Sequence, residues 1–234
     1  MAVKDIQLKL RKLEDREKGR FLQKFFKTGR GEYGEGDLFL GIRVPEVRKL
    51  AKQCRGLPAR EVLQLLRSSF HEERLLALLI LAGAYPRADD SARKTIYKIY
   101  LGNTKSINNW DLVDISAPSI MGGYLLDKSK RPLYRLAKSK SLWERRIAVM
   151  ATFTFIRHNR FAETLKISRM LLADKENLIH KAVGWMLREV GKRSPQIEED
   201  FLKRYHQRMP RTMLRYAIEK FPDAKRKKFL EGKF

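Results

Sequence analysis

Leu142–Ala151 reads LWERRIAVMA, and four other stretches of the chain are built the same way. They are EERLLALLIL from Glu72, INNWDLVDIS from Ile107, LIHKAVGWML from Leu178 and MPRTMLRYAI from Met209. Each starts polar or basic and then turns apolar. The apolar residues recur at three-to-four spacing, as in Leu75, Leu76, Leu79 and Ile80, or Ile147, Met150, Ala151 and Phe155. That is the period of a helix with a buried face, and Val, Ile and Thr never form the alternating runs of strands. The starts lie roughly 30–36 residues apart, the spacing of two-helix solenoid repeats. Each stretch is expected to be the inner helix of one hairpin, and stacked hairpins curve so that inner helices line a concave surface. The expected fold class is all-α, a helical-repeat solenoid, organised as a single domain over residues 1–234.

Turn signals separate the helices. They are Gly56-Leu57-Pro58, Ala84-Tyr85-Pro86, Gly122-Gly123, Ser129-Lys130-Arg131-Pro132 and Arg193-Ser194-Pro195. They leave helices of roughly 10–16 residues joined by short loops. The stretch Thr28-Gly-Arg-Gly-Glu-Tyr-Gly-Glu-Gly-Asp37 differs from the rest and reads as a flexible surface loop or lid. It lacks the Lys-Ser/Thr ending of a phosphate-binding P-loop and follows no strand. Pro45 beyond it suits the first turn of the next helix. Lys225-Arg226-Lys227-Lys228 reads as a solvated charge run.

Composition narrows the partner. With 51 Lys+Arg against 27 Asp+Glu the formal net charge is +24, while 43 % hydrophobic residues are enough for a folded core. A folded surface so strongly cationic favours a polyanion, and nucleic acid fits better than an acidic small molecule. No apolar run is long enough to span a bilayer. The opening Met-Ala-Val-Lys-Asp-Ile-Gln lacks the apolar core of a secretory signal, so a cytoplasmic, nucleoid-associated protein is expected. Cys54 is the only cysteine and reads as buried filler. His71, His158, His180 and His206 show no metal-ligand spacing, so no metal and no other cofactor is expected.

The residues that could carry chemistry sit at the starts of the repeated stretches. Trp110 and Asp114 are four apart and share one helix face. Trp185 occupies a comparable place two repeats later, and Arg145-Arg146 opens the repeat between them. If successive inner helices lie side by side, Trp110, Asp114, Arg146 and Trp185 converge on one patch of the concave face. A tryptophan alone is more often packing, and an aspartate alone often pairs with a neighbouring arginine. The shared register in adjacent repeats raises the functional reading.

NNWDLVDISAP, LWERRIAVM and KAVGWMLREVGK resemble, in order, the signature segments of the DNA alkylation repair glycosylases of the AlkD family, which are built from HEAT-like repeats. The resemblance runs from about Phe25 to the C-terminus. It implies a HEAT-like solenoid with a concave basic DNA-binding face. It also implies excision of cationic alkylated purines, mainly 3-methyladenine and 7-methylguanine, from duplex DNA, without flipping the base into a pocket. By motif position, Trp110 and Trp185 match the family's tryptophans against the lesion's deoxyribose, Asp114 its catalytic carboxylate, and Arg146, rather than Arg145, its backbone-engaging arginine.

The residue types suit that chemistry. An N-alkylated purine already carries positive charge, so its glycosidic bond breaks without an acid. A carboxylate then stabilises the oxocarbenium-like sugar and positions water, and indole faces favour the same cation. Arg43, Arg145, Lys181 and Arg188 flank the motifs and are the expected further DNA contacts. Some relatives carry a second aromatic where Asn109 stands and a tyrosine near Phe25. A monomer is expected, with double-stranded DNA as partner. The alternatives are a non-catalytic HEAT-repeat protein that binds damaged or structured DNA, and an interaction scaffold for an acidic protein.

Overall fold

The computed structural model describes residues 2–234. The chain packs into two compact units, Met1–Ile120 and Met121–Phe234. Among the described residues the regular structure is helical, apart from an isolated β-bridge between Leu38 and Phe70.

The first unit contains α1 (Val3–Lys12), α2 (Arg16–Phe25), α3 (Val44–Gln53), α4 (Ala59–Leu66), α5 (His71–Ala84), α6 (Asp90–Gly102) and α7 (Trp110–Ala117). Here α5 is the central element, packed against α3, α4 and α7. Because neighbours cover it on several sides, His71 through Leu78 are all buried, as are Ile80 and Leu81. A helix surrounded in this way has no solvent face to carry an amphipathic pattern.

Pro118 follows α7 directly, and the chain continues as a π-helical turn, Pro118–Gly122. Proline has no N–H to give to the residue four back, and a local widening of the helix accommodates that loss.

The second unit contains α8 (Gly123–Leu125), α9 (Arg131–Ala137), α10 (Leu142–Arg157), α11 (Ala162–Met170), α12 (Asn177–Gly191), α13 (Pro195–Tyr205), α14 (Arg211–Ala217) and α15 (Asp223–Leu230). α9 packs on α10 and α11 on α12, while α10, α12 and α14 lie in sequence against one another. All five repeated stretches thus fall on α5, α7, α10, α12 and α14, as the sequence pattern requires of a helical-repeat fold. Pro45 lies in the first turn of α3 and Cys54 is buried at its end, both as expected. No helix among the described residues is long and apolar enough to cross a membrane.

The polar start of α5 organises the first unit. Glu72 is 2 % exposed and accepts backbone N–H groups from Leu40 (2.9 Å), Gly41 (2.9 Å) and Ile42 (3.2 Å). Glu73 accepts from Gln7 Nε2 (2.9 Å) and Arg11 Nη2 (3.1 Å), which ties α1 to α5. Arg74 reaches Asp37 (2.7 Å) and the Ser68 carbonyl (2.9 Å). The segment held by Glu72 contains Gly41 at φ +82°, where a Cβ would lie 2.1 Å from the Asp15 carbonyl. Only glycine lets this strand of backbone close against the start of α2.

The glycine-rich stretch is a surface loop, as its composition leads one to expect, and its acidic side chains pin its backbone. Glu32 accepts the Gly29 N–H and Glu35 the Gly31 N–H, each at 2.9 Å. Gly34 N–H donates to Lys27 O at 3.0 Å, and Asp37 at the end of the stretch is only 4 % exposed. Its acidic residues close the loop on itself, an order that glycine content alone does not reveal.

Two stability predictions follow from these buried charges. Arg74→Met leaves the buried Asp37 carboxylate with only His71 and Asn108 as partners and is expected to cost about 1–3 kcal/mol in urea unfolding, part of which Asp37→Asn restores in the double variant. In the second unit, burial pushes the Glu198 carboxyl up to about 8, against the opposing pull of Arg188 and Lys225. The unfolded chain loses that proton from its ordinary value of 4.5, so stability contributed below 4.5 is lost as pH rises toward 8. Glu198→Gln is expected to flatten this part of the pH–stability curve and to raise the melting temperature at pH 8.

Candidate active site

In the first unit, Trp110 is the first residue of α7. Asn109, fully buried, caps the helix and accepts the Trp110 N–H at 2.8 Å. Trp110 and Asp114 then stand one turn apart on the same helix face, both half-buried, as their spacing predicts. The Asp114 charge is felt by Tyr100, whose hydroxyl is raised first by burial and further by Asp114. That phenol is held 3.0 Å from Ser116 Oγ.

The indole is held by a stack of rings. Trp110 lies against Phe26 (centroids 5.2 Å apart, planes 28° apart), Phe26 against Phe39 (5.0 Å, 12°), and Phe39 against His71 (4.4 Å, 19°). Phe25 meets both Trp110 (6.3 Å) and Phe26 (5.0 Å) edge-on. Gly34 closes over this stack, where a Cβ would lie 2.6 Å from the Phe26 carbonyl.

At the far end of the stack His71 bridges two carboxylates. Its Nε2 is 2.8 Å from Asp111 and its Nδ1 3.3 Å from Asp37. Asp37 also accepts from Asn108 Nδ2 at 3.0 Å, so the residue before the helix cap and the residue after Trp110 are both tied to this network. Burial opposes charge on the His71 ring, but Asp111 and Asp37 outweigh it and hold the pKa above the ordinary 6.5. Burial also works against the Asp37 carboxylate, yet His71 and Arg74 keep its pKa below 3.8. The network keeps the Trp110 indole in place with rigid, charged support.

The second unit carries the other expected residues. Arg146 is 5 % exposed and donates from Nη1 to the Leu178 carbonyl at 2.6 Å. Arg145 is engaged by Asp174 at 2.6 Å and by the carbonyls of Ser139 (3.0 Å) and Lys140 (2.9 Å). Trp185 is half-buried on α12, with Nε1 donating to Glu189 at 3.1 Å and Phe153 beside it at 6.2 Å. Lys181 stands one turn before Trp185 and is half-buried, while Arg188 pairs with Glu219. Arg43, in the first unit, is the exposed residue that precedes α3.

Sequence reasoning missed Phe26, Phe39, His71, Asp37 and Asp111. A usable signal was present: four polar residues, His71 to Arg74, run straight into an apolar stretch without any turn residue.

A helical-repeat protein, with Trp110 at the start of one helix, Asp114 one turn on and Trp185 midway along another, is the class that fold and residues define. The chain belongs to the DNA alkylation repair enzyme family, whose model matches residues 6–221. No curated protein matches it. Among solved structures it resembles an Enterococcus faecalis protein described as a predicted DNA alkylation repair enzyme (18 % identity, TM-score 0.69, covering 90 % of this chain and 97 % of that one). It also resembles AlkD2 from Streptococcus mutans (19 %, TM-score 0.54, covering 95 % and 100 %). A third likeness is to smu.31 from Streptococcus mutans UA159 (20 %, TM-score 0.50, covering 94 % and 96 %). At these identities the structures speak to the fold.

The His71 bridge has a testable pH signature. A folded pKa raised above 6.5 means that its stabilisation is complete below 6.5 and is lost as pH rises through the folded value. Asp37, lowered from 3.8, contributes above 3.8 and loses its contribution as pH falls through its folded value. Together they favour the fold between 3.8 and 6.5. His71→Asn is expected to make the decline above 6.5 in thermal melts shallower, leaving the share that belongs to Glu198; an unchanged slope would refute the bridge.

Proposed function

We propose that this protein is a DNA glycosylase that hydrolyses the N-glycosidic bond of cationic alkylated purines, 3-methyladenine and 7-methylguanine, in duplex DNA. It works as a single functional domain and a monomer, without flipping the base and without a metal or organic cofactor. The observation that carries this reading is the pairing of Trp110 and Asp114 one turn apart on α7, with the indole held by the Phe26 stack. A half-buried carboxylate in a chain of net charge +24 is poorly suited to phosphate binding and well suited to a developing cation.

The bond from sugar C1′ to the purine nitrogen breaks with its electron pair on the base, which leaves neutral because it began positively charged. Asp114 stabilises the positive sugar, orients water toward C1′ and takes a proton from it as the new C–O bond forms. The Trp110 and Trp185 faces stabilise the same charge by about 0.5–2 kcal/mol each. Arg146, buried against the Leu178 carbonyl, must turn outward to grip a phosphate and set the strand. Arg43 and Lys181 neutralise further phosphates, whereas Arg145 and Arg188 must leave or share Asp174 and Glu219 to do so. Family membership supports alkylation repair, and the side-chain chemistry at α7 supports glycosidic hydrolysis within it.

The test is base release from duplex DNA containing 7-methylguanine. The parent protein is expected to release the free base, and Asp114→Asn to slow release by roughly a hundredfold or more while retaining salt-sensitive DNA binding. Binding without release by the parent protein would instead identify a non-catalytic damage-binding protein. Equal rates for parent and variant would remove Asp114 from the reaction.

A further inference from the structure

Phe21 and Phe25 stand one turn apart on α2 and are 64 % and 54 % exposed. Their ring planes lie within 17° of one another, with centroids 6.4 Å apart. Phe25 meets Trp110 and Phe26 edge-on, so this outer pair borders the interior stack and lies between it and the surface. Arg20 and Lys24, both exposed, repeat at the same spacing one position earlier on the helix, with Arg16 and Glu17 at its start. Such a pair is neither core nor ordinary surface: two large apolar rings face water beside cations that keep them wet.

We propose that Phe21 and Phe25 form a stacking site for an unpaired nucleobase, with Arg20 and Lys24 taking the phosphates of the same strand. Aromatic faces flanked by cations are the general chemistry of single-strand binding, since every base has a π-face whatever its identity. An intact duplex hides those faces in its own stack and offers only base edges in its grooves. The pair therefore selects DNA in which a base has lost its partner. Loss of a purine creates such a base, orphaned across from the gap, and the ridge beside Trp110 is placed to hold it. The assignment rests on the reading that Trp110 faces DNA, but it requires no catalysis.

The experiment compares two fluorescein-labelled duplexes by anisotropy, one fully paired and one carrying a tetrahydrofuran abasic analogue. The wild-type protein is expected to bind the abasic duplex about tenfold more tightly. The Phe21→Ala/Phe25→Ala double variant is expected to bring the two affinities within roughly twofold, with a small loss of thermal stability because Phe25 also rests edge-on against Phe26 and Trp110. Phe21→Leu/Phe25→Leu keeps apolar area but no π-face and is expected to lose the preference as well. Arg20→Ala/Lys24→Ala is expected to weaken both duplexes and to reduce the salt dependence of binding.

A wild-type protein with no preference, a double alanine variant that keeps it, or a leucine variant that keeps it would each overturn the stacking site. No base is released in this assay, so a failed glycosylase reading leaves the result intact. Failure to bind either duplex would overturn the DNA reading and this site together.

Discussion

The first unit is organised around four consecutive polar residues, His71 to Arg74, buried at the start of its central helix. Burying a charge without partners costs several kcal/mol, so each of these side chains has to be met by a specific group from elsewhere in the chain. Glu73 is met by α1, Glu72 by the backbone of residues 40–42, Arg74 by Asp37, and His71 by Asp37 and Asp111. Three segments distant in sequence, α1, residues 37–42 and the start of α7, are thereby fixed to one helical turn. Apolar contacts would have held them too, but with less say over their register. Hydrogen bonds to charged groups demand particular atoms at particular distances.

That demand reaches the candidate active site. Asp111 follows Trp110, and Asn108 precedes its helix cap, so the network settles the start of α7 before any substrate arrives. Phe26, Phe39 and His71 then hold the indole from one side by stacking. Catalysis by electrostatic stabilisation needs groups already in position, because reorienting them during the reaction forfeits their advantage. The support under Trp110 at the start of α7 suits that requirement in the first unit. In the second, Arg146 and Trp185 are likewise engaged, by the Leu178 carbonyl and by Glu189.

Charge on this molecule works at two ranges. The net +24 draws in a polyanion from a distance but says nothing about chemistry. At close range the arrangement is selective: Arg145 and Arg188 are matched by acidic side chains, while Arg43 is exposed beside the start of α3. The carboxylate of Asp114 runs against the general charge. The proposed activity depends on this local exception rather than on the cationic surplus.

Repeated helices, their spacing and the pairing of Trp110 with Asp114 were legible in the sequence, because helical periodicity is a local property and a four-residue interval determines a shared face. The order of residues likewise exposed Arg146 and Trp185 as counterparts in later repeats. The supports of Trp110 were not legible. Phe26, Phe39, Asp37 and His71 come from segments with no common pattern, and only the folding of residues 26–42 against α5 and α7 brings them together. Composition pointed to a surface loop for the glycine-rich stretch, but not to the use of its acidic residues in closing that loop on itself. Local pattern thus determined which helices form and which residues share a face. Tertiary structure decided which polar groups are buried together, since the partners that make such burial tolerable lie far apart along the chain.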